Sequence, residues 1–119
     1  MYSSQVLDHF QNPRNVGDLA DASASAQVEN PACGDVLRLS LRVDDGTITA
    51  ASFRAKGCVP SIACASKLTE MLQGRTIDQA AALSREELAA ELGGLPTAST
   101  HAGQLAIDAL RKALSSIGR

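Results

Sequence analysis

Residues 36–55 read VLRLSLRVDDGTITAASFRA, and this stretch decides the fold. Apolar residues stand at every second position from Leu37 to Val43, and this period of two predicts a β-strand. Asp44-Asp45-Gly46 is a hairpin signal, and residues 47–55 are predicted to form the returning strand. A weaker strand is predicted before the hairpin, at about residues 24–29. The three strands predict a small antiparallel sheet.

Helical spacing dominates the rest of the chain. A short helix is predicted at residues 3–11, and a longer one begins at Pro60 and ends at Gly74. Ser84 and Glu87 have the spacing of a capping box, which marks a helix start. The remaining predicted helices cover residues 77–83, 84–92 and about 99–117. Strands precede most helices, so the predicted fold class is α+β, with helices packed on one face of the sheet in a single domain of residues 1–119.

Composition excludes several classes of protein. The chain has 119 residues and a formal net charge of −2, so no electrostatic argument favours a nucleic-acid partner. No apolar stretch approaches the length of a membrane span, and the first residues lack the pattern of a secretory signal. Three cysteines fit poorly with a disulfide framework. We therefore expect a protein of the reducing cytoplasm with no membrane partner.

Two cysteines fall where the predicted secondary structure changes. Cys33 lies in the turn before the hairpin, and Cys58 lies between the end of a strand and the start of a helix. A cysteine in a turn presents its sulfur at the surface, whereas a core cysteine usually lies within a periodic apolar face. The helix start beside Cys58 favours negative charge, and hence the thiolate that binds metal. A small buried residue is the alternative interpretation of both cysteines.

His101 and Asp35 are candidate partners of these thiols. His101 lies near the start of the last helix, where the dipole keeps imidazole neutral and able to ligate; a surface or capping role is the alternative. Asp35 can supply an oxygen ligand, or it can be a turn residue that bonds its own backbone. His9 is interpreted as structural or solvent-facing. The spacing Cys-x24-Cys-x42-His matches no zinc-finger pattern, so spacing alone supports a metal site only weakly.

Longer motifs resemble the U-type iron–sulfur cluster scaffold family, which comprises the IscU proteins and NifU N-terminal domains. Residues 8–17 read DHFQNPRNVG, which is similar to the family's opening. Residues 30–36 read NPACGDV and residues 53–58 read FRAKGC, and each motif carries a cysteine in the family's order. Residues 61–63 and 95–101 are also similar. The resemblance covers nearly the whole chain.

This resemblance implies a scaffold or carrier, not an enzyme, on which a [2Fe–2S] cluster is built and then handed on. By matching motif, Cys33 and Cys58 are the first two ligating cysteines, Asp35 is the family's aspartate and His101 is its histidine. The resemblance also implies iron, or zinc as an alternative occupant of the same site. A cysteine desulfurase is the implied sulfur donor, and apo iron–sulfur proteins are the implied recipients.

The sequence departs from the family at its third cysteine, because residue 102 is Ala. In the family that cysteine is a ligand and a principal sulfur acceptor, and a methyl group can do neither. De novo cluster assembly is therefore in doubt. The family's chaperone-recognition segment Leu-Pro-Pro-Val-Lys reads LPTAS at residues 95–99, which argues against release by the dedicated Hsp70 system. No insertion of the SufU type separates Cys33 from Cys58.

Three alternatives stay open. Cys64 is either a core thiol on the apolar face of its helix or an auxiliary thiol, acting as a relocated ligand or sulfur acceptor. The protein can instead be a zinc-binding structural or regulatory module that binds a cysteine desulfurase without building clusters. It can also be an enzyme with Cys33 or Cys58 as nucleophile and His101 as base, although the sequence shows no oxyanion-hole signature.

Overall fold

The sheet is built around the predicted hairpin. A computed structural model describes residues 2–31 and 34–117. Strand β2 (Asp35–Asp44) pairs antiparallel with β3 (Thr47–Lys56). Asp45 and Gly46 connect them, with φ angles of 52° and 76°. Two consecutive positive φ values make the turn whose twist matches that of the strands, and a glycine at the second position adopts it without strain.

Strand β1 (Ala24–Asn30) pairs antiparallel with β2 and completes the sheet in the order β1-β2-β3. The predicted three-stranded antiparallel sheet is confirmed. Pairing of Asn30 with Asp35 places the chain reversal between them, and Gly34 in this turn has a positive φ of 73°. Cys33 lies outside the described residues.

Within residues 2–31 and 34–117, five helices form where the sequence predicts them, with ends shifted by a few residues. They are α1 (Ser4–Gln11), α2 (Val59–Leu72), α3 (Ile77–Ala81), α4 (Arg85–Glu91) and α5 (Thr100–Ser115), and a 3-10 turn (Thr97–Ser99) precedes α5. Ser84 caps α4 by accepting a hydrogen bond from the backbone N–H of Glu87. The reciprocal capping box, however, is at the start of α3, where Thr76 and Gln79 bond to each other's backbone.

The hydrophobic core lies between the sheet and two of the helices. Helix α2 packs on β3, α5 packs on β1 and β2, and the two helices contact each other. Leu37, Leu39 and Leu41 of β2 point into this core and are at most 2% exposed. Helices cover this one face, so the predicted α+β class is confirmed. None of the helices within the described ranges has the length and apolar character that a membrane crossing requires.

The opposite face of the sheet carries arginines and serines. Arg54 is paired with Asp18, and Arg42 is paired with Asp21. Ser40 and Ser52 face each other across β2 and β3 and are buried. Within the described part of the chain, the Ser52 hydroxyl has no hydrogen-bond partner. This face lies opposite the helices and contributes none of the candidate site residues.

Helix α1 is anchored on α2 by a buried histidine. His9 is 5% exposed, and its Nδ1 lies 2.7 Å from the Ser66 hydroxyl. Its Nε2 lies 3.3 Å from Oε1 of Glu70. Ser66 also accepts a hydrogen bond from the backbone N–H of Arg14, which holds the chain after α1 against α2. The structural interpretation of His9 is therefore confirmed, and the solvent-facing interpretation is wrong.

This anchor predicts a pH-dependent stability. Burial lowers the pKa of His9; Arg14 and Lys67 act in the same direction, whereas Glu70 and Asp8 oppose it. The unfolded chain then binds a proton more readily than the folded one, so the free energy of unfolding falls as the pH drops below about 6.5. Urea unfolding should show a lower midpoint at pH 5.5 than at pH 7.5. A His9→Gln protein should lose part of this difference, and an unchanged difference would contradict the assignment.

Candidate metal centre

Three of the four predicted site residues meet at one end of the molecule. Asp35 begins β2, Cys58 precedes α2, and His101 lies in the first turn of α5. One donor atom from each lies within 4.8 Å of the other two. Cys33 lies outside the described residues, and its participation stays a prediction. Its neighbour Gly34 lines the same cavity as the three donors.

The three donor atoms form a triangle of suitable size for a metal ion. Cys58 Sγ lies 3.6 Å from Asp35 Oδ2 and 4.0 Å from His101 Nε2. His101 Nε2 lies 3.7 Å from Asp35 Oδ2. Bond lengths of about 2.0–2.3 Å around a tetrahedral zinc ion place such donors about 3.3–3.6 Å apart, so each observed edge is within about 0.5 Å of that range. Thiolate, imidazole and carboxylate also suit zinc and iron chemically.

Cys58 owes its position to the junction between β3 and α2. It is the N-cap residue of α2, and a proline follows in the first turn. Its side chain makes no capping hydrogen bond, so the sulfur is free to turn towards Asp35 and His101. The thiol is exposed, and the adjacent helix start favours negative charge there. The junction therefore presents a sulfur donor to solvent, as the sequence predicts.

His101 is held in the tautomer that a metal ligand needs. Its Nδ1 lies 3.2 Å from the backbone carbonyl oxygen of Ala98. A carbonyl oxygen only accepts, so Nδ1 donates in this contact, and in the neutral ring Nε2 then keeps its lone pair. Nε2 is the nitrogen that faces Cys58 and Asp35. A hydrogen bond from the other ring nitrogen is the usual way in which proteins orient a ligating histidine.

Asp35 is fixed between two neighbours rather than lying free on its turn. Asp35 is 3% exposed, and its Oδ2 accepts a hydrogen bond of 2.7 Å from the Ser61 hydroxyl. A Cβ on Gly57 would lie 2.5 Å from Asp35 Oδ1, so only glycine leaves room for this carboxylate. Among the described residues, the carboxylate bonds side chains and not its own backbone. Ser61 and Gly57 are thus functional candidates that the sequence analysis missed, although Ser61 stands one helical turn after Cys58.

The site is open on one side. A cavity of about 620 Å³ leads to the three donors, and Tyr2 and Lys56 lie on its wall. Asp35 forms the buried floor, whereas Cys58 is exposed and the His101 side chain is 33% exposed. The distance of 4.0 Å between Cys58 Sγ and His101 Nε2 exceeds the hydrogen bond expected between a nucleophile and its base. An open donor set suits an exchangeable metal cargo.

Cys64 lies apart from this site, in the hydrophobic core. It is 0% exposed, and burial raises the pKa of its thiol to about 12, with the negative charge of Cys58 acting in the same direction. A thiol in this state stays protonated at neutral pH and ligates metal poorly. Its placement favours the core-thiol interpretation over the auxiliary one.

Thiol labelling should separate the two cysteines. At pH 8 only about one in 10⁴ Cys64 thiols is ionised, given its raised pKa, and the side chain is buried. Iodoacetamide is therefore expected to modify Cys58 in the native protein and to modify Cys64 only after urea is added. Peptide mass spectrometry locates each label. Rapid native labelling of Cys64 would mean that its part of the core opens readily.

Ala102 is also buried, at 1% exposed, directly after the half-buried ring of His101. Its methyl group belongs to the hydrophobic core beneath the start of α5. The cavity wall takes Ala98, Ser99 and His101 from this part of the chain. Position 102 therefore supplies packing in this protein and no donor atom.

Comparison with known proteins identifies the family. The family model described as NifU-like N terminal domain matches residues 1–118. The chain belongs to this family. The arrangement described above is consistent with a NifU-like N-terminal domain. In it, a three-stranded sheet and its helices bring donor residues together at one end.

Relatives of this NifU-like domain carry informative names. The chain is 46% identical to "Iron-sulfur cluster assembly scaffold protein IscU 1" of Archaeoglobus fulgidus, with 96% of this chain and 74% of the relative covered. It is 41% identical to the IscU scaffold protein of Escherichia coli K12, with 96% and 91% covered. A crystal structure of a NifU-like protein (N-terminal) from Brucella abortus matches with a TM-score of 0.81, covering 97% and 92%. At 22% identity, that likeness shows the fold alone.

Proposed function

We propose that this protein is an iron–sulfur cluster scaffold or carrier that holds its cargo on Cys33, Asp35, Cys58 and His101. The observation that carries the proposal is the meeting of three donor residues from distant parts of the chain at one open cavity. The relatives are named as scaffold proteins for iron–sulfur cluster assembly, and these names support the same function. The cargo is a [2Fe–2S] cluster or an iron ion.

Cys33 is the fourth proposed ligand. In sequence it directly precedes Gly34, which lines the cavity, and stands two residues before Asp35. Two thiolates, one imidazole and one carboxylate would complete a set of four donors. Iron–sulfur clusters are most often held by four cysteines, and replacement of sulfur by nitrogen or oxygen donors changes their electronic properties. Such a mixed set suits a site that releases its cargo.

The absence of a thiol at Ala102 limits the sulfur chemistry that we propose. Only Cys33 and Cys58 remain as candidate sulfur acceptors, because Cys64 is buried and its thiol stays protonated. A cysteine desulfurase would supply the sulfur, and apo iron–sulfur proteins would receive the cluster. The LPTAS segment at residues 95–99 argues against dependence on an Hsp70-type chaperone. A cytoplasmic location stays a prediction from the sequence.

Anaerobic reconstitution tests the proposal directly. With ferrous iron and sulfide, the protein is expected to become coloured and to show the visible absorption of a [2Fe–2S] cluster. A Cys33→Ala protein should lose most of this colour, because one of the proposed thiolates is missing. A colourless wild-type protein after careful reconstitution would count decisively against the cluster function.

A zinc-binding module that contacts a desulfurase without building clusters is the second candidate. The size of the donor triangle favours it, because the edges are close to those of a tetrahedral zinc site. Zinc bound at about one ion per chain, with no cluster formed under reconstitution, would support this candidate. If the protein does not bind a cysteine desulfurase, the regulatory form of this second candidate is wrong.

Restoring the third thiol separates cluster holding from cluster building. In an Ala102→Cys protein the new sulfur takes the buried place of the Ala102 methyl group, directly after His101. We expect the start of α5 to move enough to bring this sulfur to the cavity, so that assembly driven by a desulfurase and free cysteine is several-fold faster than in wild type. Reconstitution with inorganic sulfide should change little, since that route needs no sulfur acceptor. Absorbance followed over time measures both rates. Equal desulfurase-driven rates in a variant whose new thiol reacts with iodoacetamide would show that the missing thiol at position 102 does not limit assembly.

A further inference from the structure

We propose that Ser61 is the positioning residue of the metal centre, orienting both the Asp35 carboxylate and the Cys58 sulfur for the incoming cargo. This inference deepens the proposed function and rests on it. Nothing in the family resemblance or in the names of the relatives assigns this role. It follows from the contacts of one buried hydroxyl group.

Ser61 lies at the centre of the site although it is not one of the donors. It stands in the first turn of α2, three residues after the N-cap Cys58, and is 5% exposed. Its Oγ lies 2.7 Å from Asp35 Oδ2 and 3.2 Å from Cys58 Sγ. The same hydroxyl therefore contacts donor groups that are 23 residues apart in sequence.

The direction of the hydrogen bond to Asp35 is determined by chemistry. An ionised carboxylate only accepts, so the single proton of the Ser61 hydroxyl is donated to Asp35 Oδ2. The same hydroxyl oxygen lies 3.2 Å from Cys58 Sγ and so holds the sulfur beside the carboxylate. Hydrogen bonds to a carboxylate are the stronger kind, and here the bond is buried. Ser61 thus binds one lone pair of Oδ2 and leaves the other facing His101 and Cys58.

Steric contact completes the orientation of the carboxylate. Oδ1 of Asp35 lies over Gly57, where even one extra carbon atom would collide with it. Oδ2 is held by Ser61 on the other side. The carboxylate therefore cannot rotate freely and presents one oxygen towards the cavity. Ligand groups that are oriented in advance bind metal more tightly, and removal of such an outer partner typically lowers metal affinity about 10–100-fold.

Cobalt(II) alone is a suitable probe, because its thiolate charge-transfer and visible bands report on the ligand set directly. A Ser61→Ala protein is expected to bind cobalt about tenfold more weakly than wild type, with altered visible bands. Ser52→Ala is the matched control. It removes the hydroxyl of an equally buried serine on the far face of the sheet, at 5% exposed and without a hydrogen-bond partner among the described residues. Its cobalt affinity and spectrum should equal those of wild type.

A second pair of variants keeps the test decisive if the alanine protein folds poorly. Ser61→Thr retains the hydroxyl and Ser61→Val replaces it by a methyl group in a side chain of nearly the same shape. The threonine protein should bind cobalt more tightly than the valine protein. The role of Ser61 would be overturned if Ser61→Ala matched Ser52→Ala, and Ser61→Thr matched Ser61→Val, in cobalt affinity and visible spectrum. The proposed function would remain intact. A wild-type protein that takes up neither cobalt nor a cluster would overturn both.

Discussion

Replacing Cys58 with alanine is expected to remove metal and cluster binding almost completely. Cys58 supplies the sulfur donor of the described triangle, at 3.6 Å from Asp35 Oδ2 and 4.0 Å from His101 Nε2. Loss of an outer hydrogen-bonding partner alone lowers metal affinity about 10–100-fold, so loss of a donor should exceed about 100-fold. Zinc competition against a chromophoric chelator measures the affinity, and anaerobic reconstitution measures the cluster.

The fold should survive this change, because the Cys58 side chain is exposed and caps no helix N–H. Cys64→Ala is the matched control, since it removes a thiol that lies within α2 and in the core. That protein should bind zinc as wild type does and unfold at a lower urea concentration. Undiminished zinc affinity in Cys58→Ala would place the metal site elsewhere.

Replacing Gly57 with alanine is expected to damage the site without touching any donor. The added Cβ would lie 2.5 Å from Oδ1 and 2.8 Å from Cγ of Asp35, a distance at which the carboxylate must move. Asp35 is buried and bonded to Ser61, so it has little room to move. Overpacking of this kind costs about 1–3 kcal/mol of stability. We also expect zinc affinity to fall at least about tenfold, because the oxygen donor loses its orientation.

Gly103→Ala is the control for this second change. Its added Cβ would meet neighbouring atoms only at 3.5 Å or more, which is ordinary contact. Gly103 lies inside α5, where alanine stabilises a helix by about 0.5–1 kcal/mol relative to glycine. The thermal stabilities of the two alanine proteins should therefore differ from that of wild type in opposite directions, and only Gly57→Ala should weaken zinc binding. Equal zinc affinity in both would mean that the Asp35 carboxylate is dispensable for binding.

Patterns within one element predict the fold well. Alternation along β2, the Asp45-Gly46 turn and the helical spacing after Pro60 each depend on local geometry, so their elements appear where expected. Boundaries are less predictable, because helix ends depend on caps whose side chains have several possible partners. Ser84 caps its helix as expected, yet the reciprocal box forms at Thr76.

The candidate site divides in the same way. Cys58, Asp35 and His101 are recognisable because their motifs match the family and their positions fall at element ends. Ser61 and Gly57 are not recognisable, since their role depends on the packing of β2 against the start of α2. That packing joins residues more than twenty positions apart, which no local pattern encodes. The buried state of Ala102 is likewise a property of how α5 packs.

The three donors lie at the starts of three separate elements, β2, α2 and α5, so the site is complete only when all three elements are in place. No two of the described donors come from the same element, so a chain with any one of these elements detached has an incomplete donor set. A bound metal ion or cluster then holds the sheet and both core helices together. A ligand at a hundred times its dissociation constant adds about 2.7 kcal/mol to stability. Conversely, lifting the start of α5 would withdraw the His101 ring and loosen the cargo without any competing ligand.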